Sequence, residues 1–191
     1  MSTVAVRSRP TSQAVGLSIG LAALGVALSF VGNIPIGPIR AYPFQAMINV
    51  LAGVLVGPWY GLIVALVISV LRNAFGTGTL FALPGSIFGV FLVGCFYHSI
   101  RRTDHAAWLE VIGTVCVGGT VAYYLAAGLA GPTLVAGFMR AAPFRSFPIP
   151  GGPVIAGVLG LWTAFAVATI PGAILGYIIL KALRRAGAVP V

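Results

Sequence analysis

Residues 72–86 read Arg72-Asn73-Ala74-Phe75-Gly76-Thr77-Gly78-Thr79-Leu80-Phe81-Ala82-Leu83-Pro84-Gly85-Ser86 and lie between two apolar runs. A guanidinium, an amide, hydroxyls and turn-forming glycines stand here in a chain otherwise suited to lipid. Backbone exposed to lipid cannot satisfy its hydrogen bonds, so such a hinge belongs against a cavity or buried in protein. Upstream, Gln45 and Asn49 are one helical turn apart and share a face. Two amides aimed into a bundle offer donors and acceptors in fixed geometry, to line a pocket or to bridge helices. The chemistry these groups could perform is directed hydrogen bonding to a small ligand. Arg72 has an alternative use as an anchor that snorkels to the membrane interface.

Bond-making chemistry has little to work with. The chain has two acids, Asp104 and Glu110, and two histidines, His98 and His105, at a boundary between apolar runs. There is no His-Glu-x-x-His, no Gly-x-Ser-x-Gly and no carboxylate cluster, so the residues argue against an enzyme. Gly76-Thr77-Gly78-Thr79 has a phosphate-loop look but lacks the Lys-Ser/Thr ending and the strand-loop-helix setting. Cys95 and Cys116 fall in apolar segments without metal-ligand spacing and read as small buried hydrophobes. No cofactor or metal is expected. Glu110, about one turn into an apolar run, is either a functional intramembrane acid or a structural residue near the interface, snorkelling or paired with an arginine. Tyr123 and Trp162 could stack on an aromatic ligand or serve as core and belt aromatics.

The elements that must position these groups are membrane helices. Of 191 residues 59% are hydrophobic and 7% charged, with a mean hydropathy of +1.07; soluble domains carry about 25% charged residues. The net charge of +9 does not point to nucleic acid, because the basic residues sit at the ends of apolar runs. The fold class expected is all-α, a single transmembrane domain of six helices at about 14–31, 43–56, 58–74, 82–100, 107–130 and 154–180. Gly57-Pro58 divides the second from the third, a helix stop followed by a proline suited to a first turn. The first run continues from Ala14 to Val31 without an A-x-A site and reads as a span rather than a signal peptide. No soluble domain and no internal repeat stand out.

Six spans put both termini on one side. That side holds Arg7, Arg9, Arg101, Arg102, Lys181, Arg184 and Arg185, against Arg40, Arg72, Arg140 and Arg145 opposite. The bias places both termini in the cytoplasm of a multi-pass cell-membrane protein. Span one carries Gly16, Gly20, Ala23 and Ala27 on one face. Such a stripe permits close helix approach, either inside the bundle or to a partner subunit. The pairs Gly53/Gly57, Gly85/Gly89 and Gly172/Gly176 read as internal packing.

Four stretches, Pro43-Phe44-Gln45-Ala46-Met47-Ile48-Asn49, Gly57-Pro58-Trp59-Tyr60, Leu71 to Thr79 and Ala82 to Ser86, together resemble the ThiW family, as does Glu110-Val111-Ile112-Gly113-Thr114. The resemblance covers most of residues 14–120. It implies a substrate-binding S subunit of an energy-coupling-factor (ECF) transporter, taking up the thiazole precursor of thiamin, hydroxyethylthiazole. It also implies work with a transmembrane (T) subunit and two cytoplasmic ATPases, which fits a chain with no nucleotide motif of its own. In the family pattern a His follows the Gln; this chain has Ala46 there. The expected site is Gln45, Asn49, Asn73 and Thr77 or Thr79, with Arg72 ordering the hinge and Tyr123 and Trp162 stacking. The 32–43 and 131–153 connections would close it from outside, and the span-one stripe would meet the partner.

Overall fold

The computed structural model describes residues 11–32, 34–36, 39–79, 82–125, 127–129 and 152–188. It is a helical membrane bundle with one small hairpin. The helices are α1 (Thr11–Leu28), α2 (Pro43–Leu55), α3 (Gly57–Ala74), α4 (Ala82–Ser99), α5 (Asp104–Leu129) and α6 (Gly152–Arg185). Within the described residues, α1, α3, α5 and the Gly157–Arg185 part of α6 are long and apolar enough to cross a bilayer, while Pro43–Leu55 and Leu83–Ser99 are shorter. Outward faces carry exposed apolar side chains such as Ile19, Leu24, Ile63, Val70, Ile174 and Ile178. Hydrocarbon is the solvent such surfaces need.

The 32–43 connection is more ordered than a Pro/Gly-rich loop would suggest. Ile34–Ile36 (β1) pairs antiparallel with Ile39–Ala41 (β2), with Pro35 opposite Arg40. β-Branched Ile on either side of a Gly-Pro step supplies the strand preference. The hairpin delivers the chain to Pro43, which opens α2.

Helix α2 is the centre of the molecule. At 13 residues it is about 20 Å long, well short of a hydrocarbon core of about 30 Å. Buried on nearly every side, it packs against α6, α4 and α3. Ile48, Val50 and Ala52 from α2 join Val64, Ala65 and Ile68 from α3, Val90 and Val93 from α4 and Leu180 from α6 in the main core. A second cluster joins α5 to α6 through Val115, Ala122, Tyr123, Leu161, Ala164 and Phe165.

Glycines set how closely these helices approach. Gly57 has φ +87°, a left-handed conformation that lets α2 stop at Val56 and α3 start at once. A Cβ on Gly113 or Gly118 would collide with the Gly89 or Gly85 backbone, so α4 and α5 meet nearly backbone to backbone. Gly172 stands against the carbonyl of Pro43, and Gly53 and Gly176 against Val93 and Val50. Facing α4, α5 widens into π-helical turns over Ile112–Gly118, a device that re-aims side chains at the cost of regular hydrogen bonding.

Candidate functional site

The site is organised by four polar residues strung through the bundle. Arg72 ends α3, yet its side chain is buried, 3% exposed; it is not an interfacial anchor. Its guanidinium carbon lies 3.7 Å from the Tyr42 ring centroid, a stacked cation–π arrangement. Nη1 donates to Gln45 Oε1 at 2.9 Å. Gln45 Nε2 donates to Asn49 Oδ1 at 3.3 Å, the one-turn spacing of the sequence made into a contact. Asn49 Nδ2 then donates to Glu110 Oε1 at 2.8 Å and approaches the carbonyl of Ser86 at 3.4 Å.

The sense of this string is dictated by its ends. A guanidinium can only donate, so Gln45 must turn its oxygen to Arg72 and its NH₂ to Asn49. Asn49 must then accept with its oxygen and present its own NH₂ to the carboxyl of Glu110. Both amides are thereby fixed in orientation, without freedom to flip.

Glu110 is fully buried, with no cation beside it among the described residues. Its partners are Asn49 and the Thr114 hydroxyl, whose Oγ1 is 2.9 Å from Glu110 Oε1 and 3.0 Å from the Gly85 carbonyl. One hydroxyl proton serves only one of them at a time. Gly89 makes the space: a Cβ there would overlap Glu110 Oε2 and Thr114 Oγ1. Neither snorkelling nor pairing with an arginine, the structural readings of this acid, is what the described residues show.

These residues wall a cavity of about 50 Å³, completed by Tyr42, Ala46, Thr79, Gly85 and Ser86 and, from α6, Ala164, Phe165, Ala168 and Thr169. At ~30 Å³ of liquid volume per water that is room for about two waters, so a ring-sized ligand requires the side chains around the cavity to move apart. Phe165 and Tyr42 supply the aromatic wall. Pro171 follows Phe165 by six residues within α6, and its missing N–H leaves the carbonyl four residues back without a helical partner.

Of the residues singled out in the sequence, Gln45, Asn49, Arg72 and Thr79 line this cavity. Asn73 does not: its Nδ2 folds back on the Ser69 carbonyl at 2.8 Å, competing locally for a helix carbonyl. Thr77 is used in the hinge, with Oγ1 3.1 Å from Ser29 Oγ and 3.3 Å from the Arg72 carbonyl. That carbonyl also takes the Thr77 and Gly78 N–H groups, both at 2.9 Å, which closes α3, and Gly76 supplies the positive φ of the turn. Tyr123 sits in the α5–α6 cluster against Gly157. Trp162 donates to Thr120 Oγ1 at 3.0 Å and packs on Gly119. Both aromatics lie outside the cavity lining, and Phe165, which sequence reading passed over, takes that place. The 131–151 part of the expected outer cover lies outside the described residues.

Gly16, Gly20, Ala23 and Ala27 are all exposed, and α1 turns Ala14, Ser18, Leu21 and Gly25 to the bundle instead. A Cβ on Gly16 or Gly20 would meet nothing within 4 Å.

Comparison with protein families matches residues 15–186 to the thiamine-precursor transporter protein (ThiW) family. The chain belongs to the ThiW family. No curated protein and no solved structure matches it. Membership makes it a membrane protein of thiamin-precursor transport.

Proposed function

We propose that this ThiW protein is the substrate-binding S subunit of an ECF-type importer and that it binds hydroxyethylthiazole in the Arg72–Gln45–Asn49–Glu110 cavity. One observation carries the reading: a partly open, mostly apolar cavity inside the bundle with a pre-oriented polar wall. A small neutral heteroaromatic needs an apolar clamp and a few directed hydrogen bonds, and these residues offer both. The exposed small-residue face of α1 serves as the docking surface for the T subunit, with two cytoplasmic ATPases supplying energy. Both termini face the cytoplasm of the cell membrane. With Arg72 buried, seven basic residues on the terminal side stand against Arg40, Arg140 and Arg145 on the other, which widens the positive-inside bias.

Binding to the purified protein tests the reading, using hydroxyethylthiazole, thiamin and the aminopyrimidine precursor in calorimetry, with mass spectrometry of co-purified small molecules. Tight binding of the thiazole alone supports it. Preference for another heterocycle moves the protein to another vitamin. No ligand in any assay would leave a membrane scaffold, with the buried string serving only to hold α2, α3 and α5 together.

A further inference from the structure

The cavity is unbalanced in hydrogen-bonding capacity, and the imbalance has a direction. At one end Arg72 Nε and Tyr42 Oη are buried without a hydrogen-bond partner among the described residues; at the other, Glu110 Oε2 is. Leaving such groups unmade is expensive in a dry interior, more so for charged ones. The Glu110 end is short of donors: Asn49 and the single Thr114 proton are committed to Glu110 Oε1 and to the Ser86 and Gly85 carbonyls. The Arg72 end has donors to spare. Gly89 leaves the space the carboxyl occupies, and the string holds it in place.

We propose that Glu110 is a substrate-recognising residue, its free Oε2 accepting a hydrogen bond from a hydroxyl or N–H donor on the ligand, while the Arg72–Tyr42 end donates to an acceptor on the same molecule. The cavity selects a ligand with a donor on one side and an acceptor on the other. This rests on the thiazole reading, where the side-chain alcohol is the donor and the ring nitrogen the acceptor. A site built to pair a hydroxyl discriminates strongly against the analogue that lacks its proton, because its own polar group is then left unpaired.

The test pairs ligand and protein changes on the full-length chain in nanodiscs. Hydroxyethylthiazole is compared with its O-methyl ether, which keeps the oxygen and loses the proton, on wild type and on Glu110→Gln. Wild type is expected to prefer the alcohol by about ten- to 100-fold. In Glu110→Gln, where an NH₂ can take the place of the free oxygen, the preference should collapse to about twofold. Glu110 is the only glutamate in the chain, so carbon-13 glutamate labels it alone. Its infrared carboxyl band should shift with the alcohol and not with the ether, a readout on wild type that survives a variant that fails to fold. An unchanged preference in Glu110→Gln, equal binding of alcohol and ether to wild type, or a silent carboxyl band would each overturn the assignment while leaving thiazole binding intact. Absence of thiazole binding to wild type would instead remove the reading on which it rests.

Discussion

Asn49 reaches Glu110 across 2.8 Å of bundle interior although the two are 61 residues apart in the chain. The contact joins central α2 to the α-helical turn of α5 just ahead of its π-helical stretch, and it makes the carboxyl part of a string that begins at Arg72. Site and core are the same object here.

Asn49→Ala removes a member of that string and leaves Gln45 Nε2 and Glu110 Oε1 each short of a partner. We expect a stability loss of about 1–3 kcal/mol together with weakened ligand binding. Asn73→Ala touches only the Ser69 carbonyl and should leave affinity within about twofold of wild type. Thermal unfolding and titration on the two variants check the contrast; equal effects would place the cavity elsewhere.

Arg72→Lys keeps a positive charge but loses the planar fork that stacks on Tyr42 while donating to Gln45. A lysine is not equivalent at a stacked, multiply bonded site. Affinity should fall about tenfold or more, with thermal stability reduced as well. Wild-type binding and unfolding in this variant would mean that the cation alone suffices.

Gly89→Ala places a methyl group where Glu110 Oε2 and Thr114 Oγ1 now stand. The carboxyl must swing away or α4 and α5 must separate, so ligand binding should be lost. Gly20→Ala, with nothing within 4 Å of the added carbon, is the matched control and should bind as wild type does. Titration of both proteins distinguishes a local requirement at Gly89 from a general intolerance of alanine.

Ala23→Leu and Ala27→Leu enlarge an exposed face of α1 and alter nothing in the cavity lining. The isolated subunit should bind ligand normally, whereas co-purification of the T subunit and cellular uptake should be abolished. Intact assembly with leucine at both positions would leave the stripe as a lipid-facing surface.

Much of this was legible from the chain. The apolar run lengths gave the helical membrane class, Gly57-Pro58 marks the α2–α3 break because only glycine sits easily at φ +87°, and the one-turn spacing of Gln45 and Asn49 became a hydrogen bond. The hidden part is what depends on tertiary pairing. Glu110 shows an intramembrane acid in sequence, but its union with Asn49 is a long-range contact that no local pattern encodes. Asn73 and Thr77 were drawn out of the expected pocket by nearby backbone carbonyls. Phe165 was one aromatic among several in a long apolar helix, and only the packing of α6 against α2 brings it to the cavity.

Arg72 brings a guanidinium into the bundle with no ion pair to cancel it among the described residues, Glu110 being buried and held by neutral partners. Carrying one elementary charge through 100 mV is work of about 2.3 kcal/mol, and a neutral ligand leaves that charge as it is. We predict that uptake into vesicles responds to a clamped membrane potential, alike in wild type and in Glu110→Gln. Uptake indifferent to the potential would refute this and mean that Arg72 stays at one depth throughout transport.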